Sequence, residues 1–111
     1  MKVAIIGSRN IKLQLEVIGQ HLPKECIEII SGGSRGVDSA AYLFSKSRRI
    51  PFRCFLPDYH TFGQMAPLVR NQQIIKAADF VLAFWNGYSK GTQFVIKKCT
   101  QELKSFKVIR C

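Results

Sequence analysis

Acidic side chains are scarce in this chain: seven Asp and Glu stand against seventeen Lys and Arg in 111 residues, a formal net charge of +10. An excess of that size argues against a cationic partner and fits an acidic one, whether nucleotide phosphates, nucleic acid or an anionic surface. Charge alone does not choose among these, because the cations are spread along the chain and a solvated basic surface accounts for much of the excess. Long apolar runs are missing as well, so no membrane span and no membrane partner are expected. The four cysteines, Cys26, Cys54, Cys99 and Cys111, form no C-x-x-C pair and stand at no zinc-ligand spacing from a histidine. That pattern excludes the common metal frameworks, and no metal site or required cofactor is expected. The residues after Met1 read as a strand and not as a signal peptide, so the expected setting is reduced and cytoplasmic. Cys54 and Cys99 fall in apolar runs and are expected in the core, with Cys111 exposed at the terminus. Repeats, low-complexity segments and long linkers are also absent. One domain over residues 1–111 is therefore expected, its 47% apolar content enough for a core.

What is present is a pattern used three times. VAIIGSR at 3–9, IEIISGGSR at 27–35 and FVLAFWNGYSK at 80–90 are each an apolar run ending in a small residue, a serine and a basic side chain. Each is followed by helical periodicity, so each reads as a strand, a glycine-containing turn and a helix start. Along the chain, Lys2–Gly7 is the first strand, and Asn10 caps a helix whose stripe is Ile11, Leu15, Ile18 and Leu22 before Pro23. Cys26–Ile30 is the second strand, and Val37, Ala40, Ala41 and Phe44 line a helix that ends near Arg48 and Arg49. Phe52–Leu56 is a third strand, Pro57–Gly63 a loop, and Pro67 opens a helix through Leu68, Ile74, Ile75 and Ala78. Asp79–Phe84 is a fourth strand. Val95, Cys99 and Leu103 make the stripe of a last helix, with Lys97, Lys98 and Lys104 left to solvent, before a short fifth strand at Lys107–Arg110.

The alternation predicts an α/β fold, a Rossmann-like three-layer sandwich with a five-stranded parallel sheet in the order 3-2-1-4-5. That order puts a topological switch point between the first and fourth strands. The cleft there is expected between Gly7–Arg9 and Asn86–Thr92, with Ser31–Gly36 beside it. Gly32, Gly33 and Gly36 would let a phosphate approach backbone N–H groups, although tight strand-to-helix turns use glycine for their own reasons. Arg9, Arg35, Arg70 and Lys90 project from the same edge and are candidates to converge on a phosphate or pyrophosphate. Asp38, Ser34, Ser89 and Thr92 suit helix capping and ligand contact equally. Asn71 is a candidate to read a base or ribose, and Tyr59, Trp85 and Tyr88 to stack on one, with Trp85 better read as a core or rim aromatic. Neither a dinucleotide fingerprint nor a Walker A loop is present.

GSR at 7–9, SGGSRGVDSAA at 31–41, FGQMAPLVRNQQIIKAAD at 62–79 and YSKGT at 88–92 resemble, in order and spacing, the small single-domain YspA-like members of the SLOG superfamily. The resemblance covers nearly the whole chain. It implies a pocket for a nucleotide or nucleotide-derived ligand, such as an ADP-ribose or NAD-related molecule. By that match the pocket residues are Gly7, Ser8, Arg9, Gly32, Gly33, Arg35, Gly36, Asp38, Arg70, Asn71, Ser89, Gly91 and Thr92. The expected role is a sensor or sequestering module, and a homo-oligomer is compatible with it. Two relatives imply other functions. LOG phosphoribohydrolases carry an arginine before the fourth strand and a G-G-x-G-T-x-x-E loop after it; Arg70 and Gly91-Thr92 match, but the glutamate position is Val95. Without that carboxylate, cleavage of an N-glycosidic bond has no obvious acid or base except Asp38 or Asp58, and Glu102 lies two turns further along the helix. In DprA, a loop similar to SGGSRGVDSAA belongs to a fold that binds single-stranded DNA, so single-stranded nucleic acid is the alternative partner.

Overall fold

Apolar runs flanked by glycine turns do form the strands. The computed structural model describes residues 1–111, with β1 at Lys2–Gly7, β2 at Glu28–Gly32, β3 at Phe52–Phe55, β4 at Phe80–Trp85 and β5 at Phe106–Arg110. All pair in parallel in the order β3-β2-β1-β4-β5. The four inner residues of β1 and of β4 are buried, as expected for central strands covered on both faces. Edge strands β3 and β5 are half-exposed.

Four helices cover the sheet: α1 at Leu15–His21, α2 at Val37–Arg48, α4 at Ala66–Ala77 and α5 at Lys90–Gln101. Side chains alternate across a strand, so each face of the sheet has its own core. Val3, Ile5, Ile29, Leu82 and Phe84 pack under Ile18 of α1 and Ala40 and Phe44 of α2. Ala4, Ile6, Ile30, Val81 and Ala83 pack under Ile74 and Ile75 of α4 and Val95 and Cys99 of α5. β1 and β4 are neighbours, with Gly7 in register with Phe84. Their following helices lie on opposite faces, so the chain diverges here and leaves a cleft at the carboxyl edge.

Several sequence expectations are corrected. α1 begins at Leu15 with Gln14 at its N-cap, not at Asn10. Ile11 and Leu13 already pack against the core from the non-helical stretch before it, so that stretch uses its apolar residues at every second position and the helix starts later. Strand β2 is shifted toward its turn, running to Gly32 instead of ending at Ile30, and β3 stops before Leu56. The expected loop at 57–63 contains a short helical segment, α3 at Tyr59–Phe62, followed by a 3-10 turn at Gly63–Met65. Asp58 caps it, its Oδ1 accepting from the Thr61 N–H at 3.1 Å. Cys54 is exposed on an edge strand and is not a core residue, whereas Cys99 is buried and its thiol is pushed up to about 11 by burial. Leu103 leaves the stripe of α5: it sits past the helix end at φ 55° and is 91% exposed, in the left-handed position where glycine is usual. Lys104 turns back instead of reaching solvent, its Nζ donating to the Ala78 carbonyl at 2.5 Å.

No helix of the structure is long and apolar enough to cross a membrane.

Candidate functional site

At the switch point the three glycine turns meet around a cavity of about 440 Å³. That volume lies within the range of small-molecule sites. Its walls include Gly7, Ser8 and Arg9 after β1, Gly32, Ser34 and Asp38 around the start of α2, Arg70 and Asn71 on α4, and Ser89, Gly91 and Thr92 at the start of α5. A smaller hollow next to it is lined by Arg9, Gly33, Ser34, Arg35, Pro57 and Arg70. Among the sequence candidates, Gly36 and Lys90 line neither space.

The turns are not equivalent. Ser8 is buried and ties β1 to the turn after β4: its N–H donates to the Phe84 carbonyl at 3.1 Å and its Oγ accepts from the Asn86 N–H at 3.3 Å. Gly36 joins two turns, since at φ 72° a Cβ there would stand 2.5 Å from the Arg9 carbonyl oxygen. Both residues are accounted for by packing alone.

Gly32 makes room for side-chain chemistry. A Cβ at this position would stand 2.5 Å from Arg70 Nη1 and 2.9 Å from Asp38 Oδ2, so only glycine lets these two groups face each other over the end of β2. Arg70 reaches this place because Ala66, Arg70 and Ile74 recur every fourth residue on the buried face of α4. The side chain is only 7% exposed. Its Nε donates to Asn71 Oδ1 at 2.8 Å, and its two terminal amino groups have no protein partner. Arginine is seldom buried to this degree without an acid beside it. No lysine or arginine nitrogen in the chain lies within 4.0 Å of a carboxylate oxygen.

Asp38, also 7% exposed, is the single carboxylate among the cavity residues. Its Oδ2 accepts from the Ser34 N–H at 3.2 Å and its Oδ1 lies 3.1 Å from Ser31 Oγ. Burial pushes its carboxyl up from the usual range, opposed by the Ser34 N–H and by the Arg70 charge. Asp58 lies outside the cavity, and the Thr61 hydrogen bonds hold its carboxyl below the usual range. Glu102 is exposed at the far end of α5, and Val95 sits in the cavity wall.

Across the cleft, Ser89 caps α5. Its Oγ accepts from the Thr92 N–H at 3.4 Å and lies 3.3 Å from Thr92 Oγ1. The N–H groups of Lys90 and Gly91 are left without protein partners, and a Cβ on Gly91 would meet nothing within 4 Å. Packing therefore gives no reason for glycine at 91, which lines the cavity.

No family model, curated protein or solved structure matches the chain. The cavity is therefore read from its own residues. Sequence reasoning missed Ile6, Asn10, Pro67, Leu68 and Ile74 as wall residues. Ile6 and Ile74 also belong to the core under α4 and α5, and no periodicity separates a core residue at the end of its stripe from one facing a cavity. Trp85 is a structural rim residue: its Nε1 donates to the Ser89 carbonyl at 3.0 Å, and Arg110 covers its ring at 5.9 Å. Tyr59 lies away from the cavity, while Tyr88, 84% exposed, stands at its edge.

Proposed function

We propose that the cavity binds a nucleotide or nucleotide-derived ligand through its phosphate, and that the protein acts as a sensor or sequestering module for that ligand. One observation carries this reading. A buried arginine with two unpartnered amino groups faces a cavity at the switch point of a parallel sheet, where helix N-termini also present free N–H groups. A phosphate there would give Arg70 the anion that the protein itself does not supply. The N–H groups of Gly33, Arg35 and Gly36 on one side, and of Lys90 and Gly91 on the other, have no protein partners. The SLOG-like motifs fall on the same residues, and Asn71 and Tyr88 stand where a ribose or base would extend from the phosphate. With Val95 in the glutamate position, LOG-type glycosidic cleavage is not part of the proposal.

A second reading, single-stranded nucleic acid, is favoured by the exposed cations. Arg9 and Arg35 are exposed beside the cleft, Arg53 stacks on Phe55 at 4.7 Å on the β3 edge, and the +10 charge is not offset by ion pairs. Thermal shift with AMP, ADP, NAD, ADP-ribose and a short oligonucleotide, at low and high salt, separates the two. A ligand at a hundredfold excess over its Kd adds about 2.7 kcal/mol. The pocket reading expects a salt-tolerant shift with a small nucleotide that is lost in Arg70→Ala. A shift with the oligonucleotide alone, abolished by salt, would overturn it in favour of the second.

A further inference from the structure

Ser31 places one hydroxyl against two acceptors. Its fully buried Oγ lies 2.6 Å from the Ile5 carbonyl oxygen and 3.1 Å from Asp38 Oδ1. A serine hydroxyl has one proton and a peptide carbonyl has none. Ile5 cannot donate and makes the shorter contact, so it takes the hydroxyl proton. The Ser31–Asp38 contact then contains a proton only if Asp38 supplies it as a neutral carboxylic acid. An ionised Asp38 would set the lone pairs of its Oδ1 against those of the fully buried Ser31 Oγ, which is costly. Oδ2, accepting from the Ser34 N–H at 3.2 Å, is satisfied in either state. The side chain thus has the hydrogen-bond pattern of an acid, one donor and one acceptor.

The charges around Asp38 are cations, which favour its carboxylate, so burial is what holds the acid against them. Arg70 faces it from α4 across Gly32 with no ion pair between them. The Cys54 thiol on β3 is close enough to feel both Asp38 and Arg70, and Arg9 enters the same cavity from the turn after β1. From β2 and the following turn come only Ser31 and Ser34, and from α5 only the Ser89 and Thr92 hydroxyls. Neither His21 nor His60 lines the cavity. Burial raises the carboxyl pKa in the same direction as the proton count.

We propose that Asp38 is a proton-operated gate on the anion site: its neutral acid admits a phosphate-bearing ligand beside Arg70, and its carboxylate competes with that ligand for Arg70. The gate rests on the pocket reading given above. A bound anion further disfavours ionisation of Asp38, so binding takes up a proton, and by linkage affinity falls as pH rises through the ionisation of the empty site. For one proton the loss reaches about tenfold per pH unit.

The first test needs no ligand. The Asp38 carboxyl carbon, followed by NMR in the free protein, is expected to titrate above the ordinary aspartate value of about 3.9; titration at or below that value overturns the gate. The second test is calorimetry with sulfate and with NAD, probes whose anionic groups keep their charge between acid and neutral pH, in two buffers of different ionisation enthalpy. Wild type is expected to take up nearly one proton per probe bound and to weaken with pH. Asp38→Asn, which keeps one donor and one acceptor, is expected to bind without uptake and without pH dependence. Binding without proton uptake, or an unchanged pH profile in Asp38→Asn, overturns the gate and leaves the pocket reading standing. Failure of both probes to bind at any pH overturns the pocket reading and the gate with it, while the NMR titration still reports whether the acid is present. If Asp38→Asn does not fold, wild-type uptake in the two buffers decides.

Discussion

The turn after β2 and the turn after β4 look alike in sequence, each a run of glycine, serine and a basic residue, yet they use their polar groups in opposite ways. Residues 86–92 are largely self-sufficient. Asn86 Oδ1 accepts from the N–H groups of Tyr88 and Ser89 at 2.8 and 2.9 Å, Trp85 holds the Ser89 carbonyl, and Ser89 caps Thr92. Residues 32–38 have two such bonds, from the Ser34 N–H to Asp38 and from Ser39 Oγ to the Ser34 carbonyl, and leave the N–H groups of Gly33, Arg35 and Gly36 unpaired beside a buried arginine. The turn after β4 is held by its own side chains. The turn after β2 is held by packing, through Gly36 against Arg9 and Gly32 beneath Arg70, and so keeps its donors free. Gly33 and Arg35 are exposed, so water serves their N–H groups in the free protein and a ligand at the cavity can take its place.

The contrast is sharpest at Arg70. Replacing it with Ala removes a charge-assisted hydrogen-bonding group worth about 1.5–3 kcal/mol, and nucleotide affinity is expected to fall by roughly 10- to 150-fold, measured by calorimetry. Lys90→Ala, an exposed cation outside the cavity, is expected to change affinity by less than about fivefold, in line with the ~1 kcal/mol ceiling for exposed pairs. Equal losses for both variants would erase the distinction between the turns.

Gly32→Ala and Gly91→Ala form a second pair. At 32 the new Cβ meets Arg70 Nη1 at 2.5 Å and Asp38 Oδ2 at 2.9 Å, and overpacking of this kind costs about 1–3 kcal/mol, to be seen as a lower denaturation midpoint together with lost binding. At 91 the Cβ meets nothing, and the free protein is expected to gain up to about 1 kcal/mol from the better helix former while ligand affinity drops. A Gly91→Ala variant that keeps full affinity would show that the ligand does not approach the start of α5.

Ser89→Ala tests the self-sufficient turn. Loss of an N-cap costs about 0.5–2 kcal/mol, so thermal stability is expected to fall while nucleotide affinity stays near wild type. The smallest effect is expected from Asp38→Asn in the absence of ligand. Its carboxyl is raised in the folded state, so the stability linked to its proton is complete below the unfolded value and is lost as pH rises through the folded one. The variant should match wild type in acid and exceed it near neutrality, by denaturant midpoints at the two pH values.

Much of the fold was legible in local pattern. Apolar runs of four to six residues bounded by Gly, Pro and Asp placed all five strands within a few residues, and the spacing between them left room only for crossover helices. The start of α1 was misread because Ile11, Leu13, Leu15, Val17, Ile18 and Leu22 satisfy a period of two at one end and a helical period at the other. Lys104 was misplaced because a lysine stem can fold back to a carbonyl 26 residues earlier, a contact with no local signature. At the site, the residue types were readable from the turns, and Arg70 carried a signal of its own as a charged residue in the apolar stripe of α4.

The sequence by itself determined the strand and helix alternation, the expected parallel order and the edge at which glycine, serine and arginine would gather, because these follow from hydrophobic period, turn chemistry and the handedness of crossovers. Only the tertiary structure decided which polar groups were left over. Whether Ser8 or Ser89 binds or braces, whether Gly91 is needed for packing, and whether Asp38 carries its proton depend on distances between turns drawn from different strands. A hydrogen bond is fixed to within a few tenths of an ångström, and residues remote in sequence reach that precision only when the sheet is assembled.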